Sequence, residues 1–222
     1  MDWAALWLSL KLASCTTLLL LPLGVLLARP LAWSRFAGRG LVEALIALPL
    51  VLPPTVLGFY LLYAVGANSA LGQAYAALTG RTLVFSFDGL LLASLIFNLP
   101  FAVQPIQRGF DAIPRAAREA AWTCGLSAWR TLWRVELPLA WPGLLSAIVL
   151  TFAHTLGEFG VVLMVGGNIE AETRTVAIAI YDRVQGFDER GAAGMSALLV
   201  GISFAAIGAL HYLTRRIGRH DG

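Results

Sequence analysis

Few side chains in this 222-residue sequence could do chemistry. Within its apolar stretches the polar residues are Lys11, Asn98, Gln104, His154 and Glu158. His154 and Glu158 are four residues apart, which on a helix puts both on one face, where they could ligate a metal or relay a proton. No third ligand stands at a metal-binding spacing and no HExxH pattern occurs, so neither a metal nor another cofactor is expected. Ser9, Ser94 and Ser146 lack the neighbouring base that a nucleophile needs and read as helix-packing residues. No glycine-rich phosphate loop is present, so no nucleotide site is expected on this chain. These residues argue against an enzyme and leave the polar groups inside the apolar stretches as pathway or structural elements.

Those stretches dominate the composition. Hydrophobic residues make up 58% of the chain and charged residues 13%, with a mean hydropathy of +0.75. Soluble domains carry about 45–50% and about 25%, which excludes a water-soluble enzyme, and the apolar content excludes disorder. Five runs are long enough to cross a bilayer: Trp3–Ala28, Leu41–Val65, Leu90–Ile106, Leu139–Val165 and Ala192–Thr214. The expected fold class is all-α, a polytopic helical membrane protein of about five spans forming one domain over residues 1–222. The first run starts Met1-Asp2-Trp3 without a basic region and is too long for a signal peptide. Cys15 lies in an apolar run and Cys124 in a charged loop, which argues against a disulfide between them. The net charge of +3 could suggest an acidic partner. In a membrane chain the placement of charge says more, and the expected surroundings are lipid, not nucleic acid.

That placement sets the topology. Arg29, Arg35 and Arg39 follow the first run, and Arg108, Arg115, Arg118, Arg130 and Arg134 follow the third. With Arg215, Arg216 and Arg219 at the C-terminus, eleven of the 16 basic residues fall on one side. Only Arg81, Arg174, Arg183 and Arg190 fall on the other. Positive charge stays in the cytoplasm, so the N-terminus is expected outside and the C-terminus inside. The cluster Leu48-Pro49-Leu50-Val51-Leu52-Pro53-Pro54 predicts a bend or break near the cytoplasmic half of the second span.

The long cytoplasmic segment 107–138 reads as helix, glycine turn, helix. Pro114 suits a first helical turn, Arg115 and Glu119 form an i,i+4 pair, Gly125 can take a left-handed cap, and Ser127 can cap a second helix that Pro138 ends. Its residues are specific. Glu119-Ala120-Ala121, three residues, Gly125, nine residues and Val135-Glu136-Leu137-Pro138 resemble the EAA signature of type I ABC importer permeases, with Val135 for the usual isoleucine. The resemblance implies that the 108–138 loop is a coupling element docking on a separate ATPase subunit through Glu119, Ala120, Ala121, Gly125, Leu137 and Pro138. It also implies a homodimer, since an importer needs two such loops and one chain has one. The alternative, a surface helix anchored by Trp122, Trp129 and Trp133, does not account for the glycine and Leu-Pro spacing.

Further motifs are similar to the molybdate branch of these permeases: the proline cluster, Leu156-Gly157-Glu158-Phe159-Gly160, Gly167-Asn168-Ile169, Glu172-Thr173-Arg174-Thr175 and Ala179-Ile180-Tyr181. The resemblance implies a multi-pass permease of the bacterial inner membrane that receives molybdate from an extracytoplasmic oxyanion-binding protein. Tungstate has the same charge and almost the same size. Sulfate permeases share variants of these motifs, so sulfate or another oxyanion stays open as the cargo. A proton-coupled secondary transporter is a different class that would also show intramembrane His and Glu, but no internal repeat is visible. Glu158 repels a dianion and is a poor cargo ligand. By depth, Lys11 lies about 12 Å and Glu158 about 10 Å below the outer surface at 1.5 Å per residue, so the two could pair. For the topology, a cytoplasm-reporting fusion at Gly222 should be active and one at Asn68 silent. The reverse pattern would overturn the five-span reading.

Overall fold

The computed structural model describes residues 1–217, and Arg219 and Gly222 lie outside the described residues. Every described element is helical: α1 Trp3–Trp33, α2 Arg39–Val51, α3 Pro54–Val65, α4 Ala70–Thr79 and α5 Phe87–Asp111. The chain continues with α6 Arg115–Thr123, α7 Ala128–Thr131, a π-helical turn Leu132–Glu136, α8 Leu137–Leu139, α9 Trp141–Gly157, α10 Gly160–Gly166, α11 Val176–Gln185 and α12 Glu189–Ile217. Among the described residues, three helices are long and apolar enough to span a bilayer alone, and five spans result if each bent pair counts as one.

The second span breaks within the proline cluster, as the prolines require. Pro53 and Pro54 offer no N–H to continue the ladder, and the chain turns by 112° between α2 and α3. The fourth apolar run is also interrupted, which its hydropathy does not show. α9 stops at Gly157, Glu158 takes an extended ψ of 129°, and α10 starts at Gly160. The two interruptions touch: a Cβ placed on Gly160 would come within 2.8 Å of Pro54 Cβ, and one on Gly58 within 2.7 Å of Met164 Cβ. α3 and α10 therefore pack as a pair against α5, where Leu57, Ala93, Phe97, Val161 and Val165 form an apolar cluster.

α1, α5 and α9 form the centre of the bundle, with Ala28, Leu31, Val103, Ile106, Phe110 and Ala147 in its largest core. Pro100 and Pro105 sit inside α5 without ending it. α5 reaches Asp111, so residues 107–111, expected as loop, are helix. α4 and α11 were not legible as separate helices; Ser69 Oγ and Thr175 Oγ1 cap them by accepting from Gly72 N–H and Ile178 N–H.

The α5–α9 crossing depends on two glycines. A Cβ at Gly143 would lie 2.5 Å from the Pro105 carbonyl oxygen and 3.0 Å from Gly109 Cα. Gly143→Val should therefore lower the melting temperature in detergent, by about 1–3 kcal/mol of stability or more, whereas Gly201→Ala has open space and should gain up to about 1 kcal/mol of helix propensity. Equal melting temperatures for the two variants would contradict this close crossing.

Candidate functional site

The segment between α5 and α9 builds the candidate site. Pro114 sits just ahead of α6, and Gly125 adopts φ +76° with nothing near its missing Cβ, a conformation that favours glycine. Ser127 Oγ accepts from Arg130 N–H at 3.4 Å and caps α7. The helix–glycine–helix expectation holds to this point. Pro138 does not end the second helix, however. The helical path continues to Leu139 and turns by 73° at Ala140 before α9. The π-helical turn gives the physical reason: the extra residue relieves the clash a proline ring makes with the carbonyl four residues before it.

Glu119 and Ala120 are exposed on α6, whereas Ala121 is only 6% exposed and packs within the chain. Ala121 therefore serves the helix's own seating and not a flat contact with another surface. Glu119 makes no salt bridge among the described residues, so the expected Arg115–Glu119 pair is absent and the carboxylate is available to outside donors. Pro138 is exposed and Leu137 half-buried. Trp122, Trp129 and Trp133 are exposed, the last two edge to face at 5.7 Å.

A residue that sequence reasoning passed over holds this element in place. Glu136, in the π-helical turn, is 0% exposed. It accepts from Arg29 Nε at 2.7 Å and Nη2 at 3.2 Å, and from Arg118 Nε at 3.3 Å. The Arg118 guanidinium also lies 3.5 Å from the Trp33 ring centroid, and Trp33 Nε1 donates to the Phe110 carbonyl at 3.2 Å. One carboxylate thus joins α1, α6 and the π-helical turn, and the tryptophan extends the joint to α5. Removing one partner of such a buried pair costs about 3–5 kcal/mol. The available signal was a carboxylate in a stretch otherwise rich in arginine.

The polar residues inside the spans gather elsewhere. Asn98 Nδ2 donates to the Ser94 carbonyl at 2.9 Å and to Glu158 Oε2 at 3.1 Å, and Ser94 Oγ donates to the same Oε2 at 3.0 Å. Asn98 Oδ1 lies 2.9 Å from His154 Nδ1, and His154 stacks on Phe101 at 4.0 Å. Glu158 Oε1 is buried without a hydrogen-bond partner among the described residues. His154 and Glu158 are joined, but through Asn98 of α5 and not by sharing a helix face, because Glu158 lies past the end of α9. Lys11 belongs to neither. Its ammonium is 4.1 Å from the Phe87 ring centroid and the residue is exposed, so the expected Lys11–Glu158 ion pair does not form. Matched depth brings two charges to one level; the helix break turns Glu158 toward α5 donors, and the long lysine reaches outward.

Asn98→Ala would strip Glu158 of one donor and His154 of its partner, and should cost about 1–3 kcal/mol in detergent unfolding. Glu158→Gln keeps an acceptor for both donors and should cost less. Equal losses would mean that the carboxylate's charge, and not the Asn98 amide, organises the cluster.

Comparison with known proteins extends the resemblance over almost the whole chain. Residues 21–219 match the family described as binding-protein-dependent transport system inner membrane component. The chain is 48% identical over 215 residues to the molybdenum transport system permease protein ModB of Azotobacter vinelandii, covering 97% of this chain and 95% of the relative. It is 32% identical to the probable sulfate transport system permease protein cysT of Zygnema circumcarinatum, over 86% of this chain and 66% of that one. In architecture it is similar to a bacterial alginate ABC transporter solved in complex with an alginate pentasaccharide-bound periplasmic protein, with TM-score 0.73, 16% identity and coverage of 96% and 78%. An all-helical bundle with paired broken spans, an exposed Glu119-Ala120 corner and this family match agree: the chain belongs to the inner-membrane components of binding-protein-dependent transport systems.

Proposed function

We propose that the chain is the permease subunit of an ABC importer that carries molybdate across the inner membrane. The observation that carries this reading is the 48% identity, over nearly both full lengths, to a molybdenum permease. Tungstate, with the same charge, is accepted by the same path. Sulfate is the second reading, and the lower identity and partial coverage of the sulfate permease favour molybdate over it.

ATP hydrolysis belongs to a separate ATPase subunit that docks on the 108–138 loop. Glu119, Ala120 and the Gly125 corner form the docking surface, with Leu137 and Pro138 seating its far end. The exposure of Glu119 and its lack of a salt bridge among the described residues support this role. The permease works as a homodimer, consistent with the exposed Leu50, Val51, Phe59, Tyr60 and Tyr63 of α2 and α3. An extracytoplasmic oxyanion-binding protein delivers the cargo, as the complex of the alginate transporter suggests by analogy of fold. Positive-inside charge supports an external N-terminus and a cytoplasmic C-terminus. Asn98, His154 and Glu158 act as structural polar groups at the interruption of the fourth span, and Lys11 as a lipid-facing anchor.

The test is co-purification with the ATPase, followed by competition between molybdate, tungstate and sulfate in proteoliposomes. A Glu119→Lys, Gly125→Leu double variant should insert normally yet lose the ATPase, with transport falling to background. Normal co-purification of the ATPase would defeat the docking assignment, and uptake blocked by sulfate alone would defeat the cargo assignment.

A further inference from the structure

We infer that Glu136 is a positioning residue through which α1 follows the movement of the docked helix α6. The inference rests on the docking role proposed above for the 108–138 loop. Movement at α6 has covalent routes into α5, through residues 112–114, and into α9, through α7 and the π-helical turn. It has no such route into α1, which is separated from α6 by α2 to α5. The remaining contact of α1 with the bundle is largely apolar, as at Gly24 against Ile106, and its bond to α11, where Ser9 Oγ accepts from Val176 N–H at 2.8 Å, lies near the opposite end of the helix.

The Glu136 joint supplies the direction. Arg29 of α1 grips one carboxylate through two nitrogens, and its Nη2 also donates to the Ala128 carbonyl at 3.3 Å. Arg118 of α6 reaches the same carboxylate while lying over Trp33 of α1. Rotation of α6 about Gly125 must carry this guanidinium, and with it both Glu136 and Trp33. A buried ion pair adds little stability over apolar side chains of the same volume, whereas its hydrogen-bond geometry admits one arrangement. The joint is suited to fixing register and poorly suited to adding stability.

The test follows from that contrast and uses the permease–ATPase complex, with its binding protein, in proteoliposomes. Oxyanion import and ATP hydrolysis are measured on the same preparation. Two variants are compared: Glu136→Gln, and the apolar triple Arg29→Met, Arg118→Leu, Glu136→Met, which fills the site and leaves no orphan charge. Both should retain the ATPase and hydrolyse ATP, while oxyanion imported per ATP falls about tenfold, within the range of one coupling free energy. Adding Arg118→Gln to Glu136→Gln should lower the ratio no further than either change alone, because the residues act as one unit. A triple variant that imports normally per ATP overturns the inference, as does a loss of import explained wholly by less folded complex. If Glu136→Gln does not fold, the triple variant decides alone, and failure of both to fold assigns the joint to stability and overturns the inference. Failure of the unmodified chain to bind the ATPase is a separate result, which defeats the docking reading itself.

Discussion

Hydrocarbon offers no partner to a backbone N–H or C=O, and the architecture of this chain follows from that constraint. It explains why every described element is helical, and why the departures from helix are confined and sheltered. The breaks at Pro53 and Glu158 lie against each other and against α5, so neither faces lipid alone. Discontinuous helices are tolerated in membranes where they are buried in protein or line a cavity, and α3 with α10 fits the first of these. Once the breaks are paired, Glu158 can turn toward Ser94 and Asn98, and α10 can return over α3.

The segment between α5 and α9 solves a different problem, which is how to hold a helix that keeps one edge exposed. α6 shows its Glu119-Ala120 edge outward and seats Ala121 inward. Its inward side is held by charge: Arg118, Glu136 and Arg29 meet below Trp33, and the apolar core of Phe110, Leu132 and Ile113 lies beside them. The π-helical turn belongs to this arrangement. It lets Pro138 follow closely on Glu136 while Leu132 and Glu136 both stay buried.

Much of this was legible in the residues. Five apolar runs, an arginine-rich loop, the Gly125 corner and the Ser127 cap are local signals, and each depends on neighbours within one or two turns. Relations across the bundle were not legible. Matched depth puts Lys11 and Glu158 at one level but carries no information about which way each helix faces, and the break at Glu158 does not show in hydropathy, although Gly157 and Gly160 flank it. Glu136 lies 107 residues from Arg29, and a charged residue in a polar loop reads as solvated until the fold buries it. The proline cluster announced its break because proline acts on its own backbone.

The contact between the two interrupted spans also constrains inheritance. Gly58 meets Met164 and Gly160 meets Pro54 at distances that leave no room for one added methyl group. A lineage that enlarges residue 58 must remove the Cβ of residue 164 altogether, since that atom itself would lie 2.7 Å away, or give up the pairing of α3 with α10. These positions, roughly a hundred residues apart in the chain, are therefore bound to change together, and their joint variation among descendants would record the contact as plainly as a distance does.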